Sequence, residues 1–380
     1  MFTNGSRMAV ALIQKIGYNK NNTVKESVPF MYNDYGPFPP NGGYYPPNSP
    51  YPPYNPYLQT QAMKQQEKKE IKVFSRVAGC CVIGYVLMQE LLSTALYIIP
   101  SLRDAYVGSA GFRSAFGMIY SVLGVLLPFL VGAAFLKHRT GTSAMNFDKP
   151  NSISTMVLLI PVGFLICLAA NYVTNIFIAQ MEDAGFELAG GEFDAPKDWF
   201  GRIFYFLEVA VVPPLCEELA ARGVVMMPLR KYGDRFAVFA SAFVFAIMHG
   251  NLVQAPFAFL VGLAIGYAVC LTNSIWTGVL IHFANNLFSV GIEILLNDVT
   301  DEKTQNVIYY SFLGIAVAAG LVCAVLLVAK EKGKLILSRR VGTLTSGEKG
   351  GAYVLTVPML IAIGSLLVIT SQYVSYKGQY

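Results

Sequence analysis

Charged residues are scarce in this chain. Only 13% of its 380 residues are Asp, Glu, Lys or Arg, and 54% are hydrophobic, whereas an average soluble domain has about 25% charged residues. This balance excludes an ordinary water-soluble domain and a chain that is disordered throughout. The net charge of +5 includes no basic stripe interleaved with aromatic residues, so no nucleic-acid partner is expected. The lipid bilayer is the partner that this composition predicts.

Paired cysteines are also lacking. The six cysteines all lie in apolar runs, and none belongs to a Cys-x-x-Cys pair. A disulfide framework or a thiolate zinc site would need a different spacing. We therefore expect the cysteines to be small, buried apolar side chains.

The N-terminal region lacks apolar periodicity. Residues 29–57 contain half of the chain's 20 prolines, and proline removes backbone hydrogen-bond donors. Residues 1–75 are therefore predicted to be a disordered Pro/Tyr-rich cytoplasmic tail followed by a basic juxtamembrane segment. No secretory signal peptide is expected, because no apolar core precedes Lys64.

Apolar stretches alternate with short polar connections over residues 76–380. Each stretch is long enough, or nearly so, to cross a bilayer, which takes about 20 helical residues. We therefore predict an all-α, polytopic membrane helix bundle with about nine transmembrane helices. The predicted spans are 77–100, 115–136, 154–179, 203–229, 236–249, 255–272, 275–296, 307–329 and 353–371.

Basic residues lie at alternate ends of these spans. They precede the first span and follow the second, fourth and eighth, whereas the loop 182–198 is acidic. Basic loops tend to stay on the cytoplasmic side of a membrane. Nine spans with a cytoplasmic N-terminus place every basic cluster on that side, so we predict a multi-pass protein of the cell membrane with this orientation.

Several ionisable side chains are concentrated in the middle of the predicted bundle. A charge at the bilayer centre costs at least about 3 kcal/mol, so each one needs a structural or chemical reason. Five fall within about seventy residues, and they are Glu217, Glu218, Arg222, His249 and His282. Their concentration in neighbouring spans makes residues 203–296 the candidate functional core.

Helix geometry separates the first three of these residues. Glu218 and Arg222 are four residues apart on one helix face, with the acid N-terminal to the base, which favours an ion pair. Glu217 is rotated by about 100° from Glu218. It is therefore left to face elsewhere, and in a hydrated cavity it would suit a general base. The alternative is that Glu218 and Arg222 form an ion pair that serves packing alone.

Two further spans contribute imidazoles and an amide. Phe245 lies one helical turn before His249. A polar stripe follows one face of the next motif-bearing span, at His282, Asn286, Ser289 and Glu293. Hydrolysis needs a carboxylate to take a proton from water, an imidazole or metal to position the water, and His or Asn donors to stabilise the oxyanion. Either histidine alone would more often be an ordinary core histidine whose hydrogen bonds are satisfied.

These residues also match three motifs of one family. Residues 217–222 fit Glu-Glu-x-x-x-Arg, residues 245–249 fit Phe-x-x-x-His, and residues 282–286 fit His-x-x-x-Asn. In this order, and each in an apolar span, the motifs resemble those of the CPBP intramembrane proteases. This is the CAAX prenyl protease and bacteriocin-processing family, also called the Abi family. The resemblance covers residues 203–296, about a quarter of the chain.

The resemblance implies a membrane-embedded endopeptidase that acts on a membrane-associated peptide or protein. It implies that Glu217 and His249 activate water and that His282 and Asn286 stabilise the oxyanion. Supporting roles are implied for Glu218, Arg222 and Phe245. A divalent metal such as zinc would be bound by Glu217, His249 and His282. A metal-free mechanism would use the same residues, and the sequence leaves both open.

Two other functions also remain open. A non-catalytic membrane immunity or scaffold protein would keep the pocket without using it for hydrolysis. A transporter would use the acidic residues as proton relays. Such transporters often contain internal repeats with matched broken helices, and the sequence has no clear second copy of the motif region.

The depth of the motif residues in the bilayer sets a condition on the fold. Glu217 falls near the cytoplasmic end of the fourth span, whereas His249 lies about 20 Å from that side. For the two to meet, we expect the fourth span to continue through residues 223–229, with a kink at Pro213-Pro214. We also expect the short fifth span to be strongly tilted.

Overall fold

The computed structural model describes residues 56–144, 147–190, 195–337 and 342–378. The predicted disordered tail up to residue 55 lies outside these ranges. The structure is 82% helical, and the described residues contain one sheet of two strands. The prediction of an all-α membrane bundle is confirmed.

The α-helices follow one another through short turns and stretches of π-helix. They are α1 (Pro56–Ile98), α2 (Pro100–Gly108), α3 (Ala110–Tyr120), α4 (Leu127–Thr140), α5 (Ile153–Asp183), α6 (Trp199–Phe206), α7 (Val212–Glu218), α8 (Met227–Leu229), α9 (Asp234–Met248), α10 (Ala255–Thr272), α11 (Ile275–Leu296), α12 (Glu302–Glu331), α13 (Ser346–Val354) and α14 (Val357–Ser371). The π-helical segments are Ser121–Leu126, Leu207–Val211 and Leu219–Met226, and Arg230–Tyr232 is a 3-10 turn.

Within the described residues, six helical segments are long and apolar enough to cross a membrane, and the bent pair α13–α14 would be a seventh. All nine predicted stretches are helical. However, α9 has only 15 residues, and the helical path over residues 199–229 carries several charged side chains. Neither of these stretches meets the length and composition criterion, so the count of nine is not confirmed.

Helix α1 begins 21 residues before the predicted start of the first span. Pro56 is its first residue, a position at which proline suits a helix because its missing N–H is not needed there. The following residues are mostly Gln, Lys, Glu, Ala and Met, which favour helix. At 43 residues, α1 is about 65 Å long, so it extends well beyond a hydrocarbon core of about 30 Å.

Residues 199–229 form one helical path that changes twice to π geometry. The first π-helix, Leu207–Val211, precedes Pro213-Pro214, and the second, Leu219–Met226, follows Glu218. Proline crowds the preceding turn and removes a backbone donor, and such widened turns often occur at functional sites. The predicted continuation to residue 229 is confirmed, and the distortion near the two prolines takes the form of a π-helix.

The outer surface of the bundle is largely apolar. Helix α12 exposes large apolar side chains along its length, including Val307, Ile315, Leu321 and Val325. This is the surface that a lipid-facing helix presents. Four of the six cysteines are buried and Cys323 is half-buried, but Cys80 is exposed, so its predicted burial is wrong. Its neighbour Cys81 occupies the buried face of α1.

The C-terminus is tied to the loop that follows α5. Strand β1 (Phe186–Leu188) pairs antiparallel with β2 (Val374–Tyr376), and Phe186 lies opposite Tyr376. Lys377 Nζ forms an exposed ion pair with Glu187 at 2.7 Å. Its hydrogen bond lowers the pKa of the Glu187 carboxyl from its usual value. This two-stranded ribbon contributes no residue to the motif core.

Candidate active site

A fully buried carboxylate lies at the centre of the motif core. Glu218 Oε1 accepts one hydrogen bond from Arg222 Nη1 at 2.8 Å and another from His282 Nδ1 at 3.0 Å. The predicted ion pair is therefore confirmed, and both of its side chains are 0% exposed. Arg222 Nη2 also donates to the carbonyl of Gly262 at 3.1 Å. A buried ion pair needs such additional hydrogen bonds to offset the loss of solvation.

Phe245 connects the three motifs. The guanidinium carbon of Arg222 lies 4.7 Å from the centre of its ring, which is a cation–π distance. The His249 and His282 rings meet Phe245 edge to face, with centroid distances of 4.9 and 5.9 Å. One aromatic side chain thus contacts both histidines and the buried arginine, so its part in the site is wider than the sequence predicted.

Glu217 approaches the second nitrogen of the same imidazole that Glu218 binds. Its Oε2 atom lies 4.0 Å from His282 Nε2, and its side chain is 23% exposed. The sequence predicted that Glu217 would be separate from the buried ion pair, and this is confirmed. It also predicted that Glu217 would face away from that pair, whereas two consecutive glutamates in fact flank His282.

The hydrogen-bond partners define which ring nitrogens carry protons. The Glu218 carboxylate can only accept, so His282 Nδ1 is the donor. The backbone carbonyl of Phe245, 2.8 Å from His249 Nδ1, can likewise only accept. A neutral imidazole has one N–H. In neutral His249 and neutral His282, the lone pair is therefore on Nε2.

Asn286 is oriented by a backbone group of the first π-helix. Its Nδ2 atom donates to the carbonyl of Val209 at 2.8 Å, and its Oδ1 atom accepts from Asn285 Nδ2 at 3.1 Å. A side-chain amide has two N–H donors. The bond to Val209 uses one of them and leaves the other for a ligand.

The predicted polar stripe on α11 faces the helical path 199–229. Besides the bonds of His282 and Asn286, Glu293 Oε2 accepts from the Tyr205 hydroxyl at 2.6 Å. The Ser289 hydroxyl donates to a carbonyl of its own helix at 3.3 Å. Glu208, another acidic residue of the path 199–229, packs against Gly117 of α3. The stripe is thus mainly a helix–helix contact.

A metal site needs three or four donor side chains that converge on one point. Among the described residues, no group of three or more His, Cys, Asp and Glu is arranged to hold a metal ion. Glu217 Oε2 and His282 Nε2 are 4.0 Å apart, and Nδ1 of each histidine is hydrogen-bonded, which leaves Nε2 of each ring as the nitrogen that could bind a metal. Glu217, His249 and His282 therefore do not form such a group in the part of the chain that the structure describes. A metal bound by these three residues stays a prediction.

Among the contacts of the site that were not predicted from the sequence are two hydrogen bonds to backbone carbonyls. The Tyr85 hydroxyl of α1 donates to the carbonyl of Met248 at 2.7 Å, directly beside His249. The hydrogen bond from Asn286 Nδ2 to the Val209 carbonyl was also not predicted. The two prolines downstream of Val209 could have indicated the second contact, because they remove donors from its turn. Nothing in the sequence indicates the first.

Fold and geometry together define a multi-pass membrane protein with a partly buried carboxylate–histidine site. Residues 199–288 match the family model for type II CAAX prenyl endopeptidase Rce1-like proteins. The resemblance to the CAAX protease family is thereby confirmed for this segment, which is about a quarter of the chain. It supports a membrane-embedded CAAX-type endopeptidase in general terms. The searches of curated proteins and of solved structures found no match.

Proposed function

We propose that this protein is an intramembrane endopeptidase that hydrolyses a peptide bond of a membrane-associated peptide or protein. The observation that carries the proposal is the placement of Glu217 and Glu218 at opposite nitrogens of His282. This arrangement lies within a segment of the CAAX-protease type. A structural ion pair would not require the second glutamate, whereas hydrolysis requires a general base beside an imidazole.

Glu217 and His249 are the groups that activate water. The Glu217 carboxylate is partly exposed to solvent, and His249 Nε2 has a lone pair because its Nδ1 donates to Phe245. A water molecule that donates one hydrogen bond to each group keeps a lone pair for attack on the substrate carbonyl. Glu217 takes the proton as the carbon–oxygen bond forms, and returns it to the leaving nitrogen as the carbon–nitrogen bond breaks.

His282 and Asn286 are the groups that stabilise the oxyanion. Asn286 has one N–H left after its bond to Val209. His282 can donate from Nε2 only when its ring carries a second proton, because Nδ1–H is committed to Glu218. Donors fixed before the reaction stabilise developing charge at little reorganisation cost. Glu218, Arg222 and Phe245 support the site by fixing the His282 ring.

The remaining predictions belong to the same proposal. The basic clusters support a location in the cell membrane with a cytoplasmic N-terminus. If a divalent metal such as zinc is bound, Glu217, His249 and His282 are the proposed ligands. Two measurements distinguish the metal-dependent mechanism from the metal-free one. The first is metal analysis of the purified protein. The second asks whether chelators stop cleavage and whether added zinc restores it.

The decisive experiment compares Glu217→Gln with Glu90→Gln in purified protein. Both variants remove one carboxylate charge from a predicted span, and Glu90 is exposed on α1. The substrate is a prenylated peptide with a C-terminal CAAX sequence, with its non-prenylated form in parallel. Cleavage should disappear in Glu217→Gln and persist in Glu90→Gln. Retained cleavage by a folded Glu217→Gln protein would contradict the role of Glu217, whereas absence of cleavage by the folded wild type would favour a non-catalytic protein.

A further inference from the structure

The last turn of α9 has a donor for each of five successive carbonyls. The last carbonyls of a helix have no hydrogen-bond partner within the helix, so other groups must donate hydrogen bonds to them. The carbonyls of residues 245–249 accept, in order, from His249 Nδ1, His249 N, Gly250 N, the Tyr85 hydroxyl and Asn251 Nδ2. Four of these donors belong to the turn itself. Only Tyr85 comes from another element.

Tyr85 belongs to α1, outside the segment of the CAAX-protease type. Its side chain is only 8% exposed and lies on the buried face of α1 together with Cys81 and Val82. A buried tyrosine hydroxyl needs a hydrogen-bond partner. The carbonyl of Met248, at 2.7 Å, provides it one residue before His249.

The orientation of His249 depends on this turn. Its ring is held by the carbonyl of Phe245, so any movement of the turn also moves Nε2. Helix ends fray readily, and the chain leaves α9 through Gly250 in a left-handed conformation, with φ of 64°. Without a bond to a second helix, the turn would be held only by donors that move with it.

We propose that Tyr85 is a positioning residue that fixes the end of α9 and thereby directs His249 Nε2 towards the water shared with Glu217. The catalytic part of this inference rests on the proposed function. The structural part does not, because the order of the His249 ring can be measured directly.

Tyr85→Phe removes the hydroxyl and keeps the ring. Two matched variants control for this change. Tyr267→Phe also removes a hydroxyl that donates to a backbone carbonyl at 2.5 Å. That carbonyl belongs to Leu335, which lies outside the segment 199–288. Tyr353→Phe removes a buried hydroxyl that has no hydrogen-bond partner among the described residues.

The first measurement is NMR of protein labelled in its histidines. The chain has only three, so the His249 signal can be assigned with one His249 variant. Tyr85→Phe should shift or split the His249 signal and leave that of His138 unchanged, whereas Tyr267→Phe and Tyr353→Phe should leave both unchanged. An unchanged His249 signal in Tyr85→Phe would overturn the proposal, whether or not the protein cleaves peptides.

The second measurement is kinetic. In Tyr85→Phe we expect kcat to fall by about tenfold to a hundredfold, the scale of a small misplacement of a reacting group, with KM changed less than about twofold. Loss of packing alone would lower the yield of folded enzyme without this split. If the wild-type protein cleaves the substrate and Tyr85→Phe has the same kcat, the catalytic part of the inference is overturned and the structural part is not.

A third measurement, backbone hydrogen exchange, needs no substitution. It tests the proposal even if Tyr85→Phe does not fold. In the wild-type protein, the backbone N–H groups of His249 and Gly250 bond to carbonyls of the last turn. If Tyr85 fixes this turn, their hydrogen exchange should be as slow as that of the α9 interior. Fast exchange at both positions would show that the turn frays and would overturn the proposal.

Discussion

Asn286 of α11 donates to the carbonyl of Val209 at 2.8 Å, and the sequence around Val209 explains why this carbonyl is free. In an α-helix it would accept from residue 213, and in a π-helix from residue 214. Both residues are prolines and have no N–H. The proline pair therefore creates an acceptor that a side chain from another helix must fill.

Replacing both Pro213 and Pro214 by alanine should release Asn286. The new N–H groups compete for the Val209 carbonyl, so we expect kcat to fall, by less than the roughly hundredfold to thousandfold that loss of an oxyanion donor costs. We expect little loss of stability. Pro161→Ala is the matched control, because Pro161 lies inside α5. Equal activity in both variants would show that the proline pair does not orient Asn286.

Local geometry was enough to predict some parts of the site and not others. The Glu218–Arg222 pair follows from helix periodicity alone, because its partners are one turn apart. The approach of Glu217 to His282 could not be predicted in this way, because it depends on how the broken path 199–229 packs against α11. The same reason applies to the bond between Tyr205 and Glu293.

The start of α1 illustrates a different limit. The sequence predicted its apolar part from residue 77, but the helix begins at Pro56. Hydropathy identifies where a helix enters the bilayer and not where it begins, because its polar extension is stabilised by contacts distant in sequence. Glu67 of this extension accepts from the backbone N–H of Thr343, for example. Such contacts leave no periodic signal.

Lys349 lies at the centre of these contacts between the polar part of α1 and residues 343–349. Its Nζ atom donates to the carbonyl of Tyr232 at 2.5 Å and lies 3.5 Å from Glu67 Oε1, with only 2% of its side chain exposed. Lys349→Met should lower the free energy of unfolding by about 3–5 kcal/mol, because Glu67 is left buried without its cation. Thermal unfolding in detergent measures the change.

Lys64→Met is the control for that substitution. Lys64 lies 3.9 Å from Glu348, and both side chains are about a third or more exposed, so its loss should cost less than about 1 kcal/mol. If the two variants unfold at the same temperature, the buried contact of Lys349 does not hold α13 against α1.

Glu218→Gln should separate stability from activity. The fully buried Arg222 would lose its counter-charge, which should cost about 3–5 kcal/mol. Adding Arg222→Met should restore much of that stability, because no unpaired charge remains. Activity should not return in the double variant, because a neutral glutamine amide cannot hold the His282 ring as a carboxylate does. Recovery of both together would mean that Glu218 serves the arginine alone.

Gly278 gives Glu218 and His282 room to meet. A Cβ atom at this position would lie 2.8 Å from Glu218 Oε2 and 2.9 Å from Ile265 Cγ2, which is too close for either neighbour to stay in place. Gly278→Ala should therefore cost about 1–3 kcal/mol, as overpacking of a core does, and should lower kcat by moving Glu218 away from His282.

Gly291→Ala tests this argument on the same helix. Nothing lies within 4 Å of a Cβ at Gly291, and alanine is favoured over glycine in a helix by up to about 1 kcal/mol. This variant should be at least as stable as the wild type and equally active. Because both changes add one methyl group to α11, a loss confined to Gly278→Ala reflects the contact with Glu218. Equal behaviour of the two variants would mean that the close approach at Gly278 is not required.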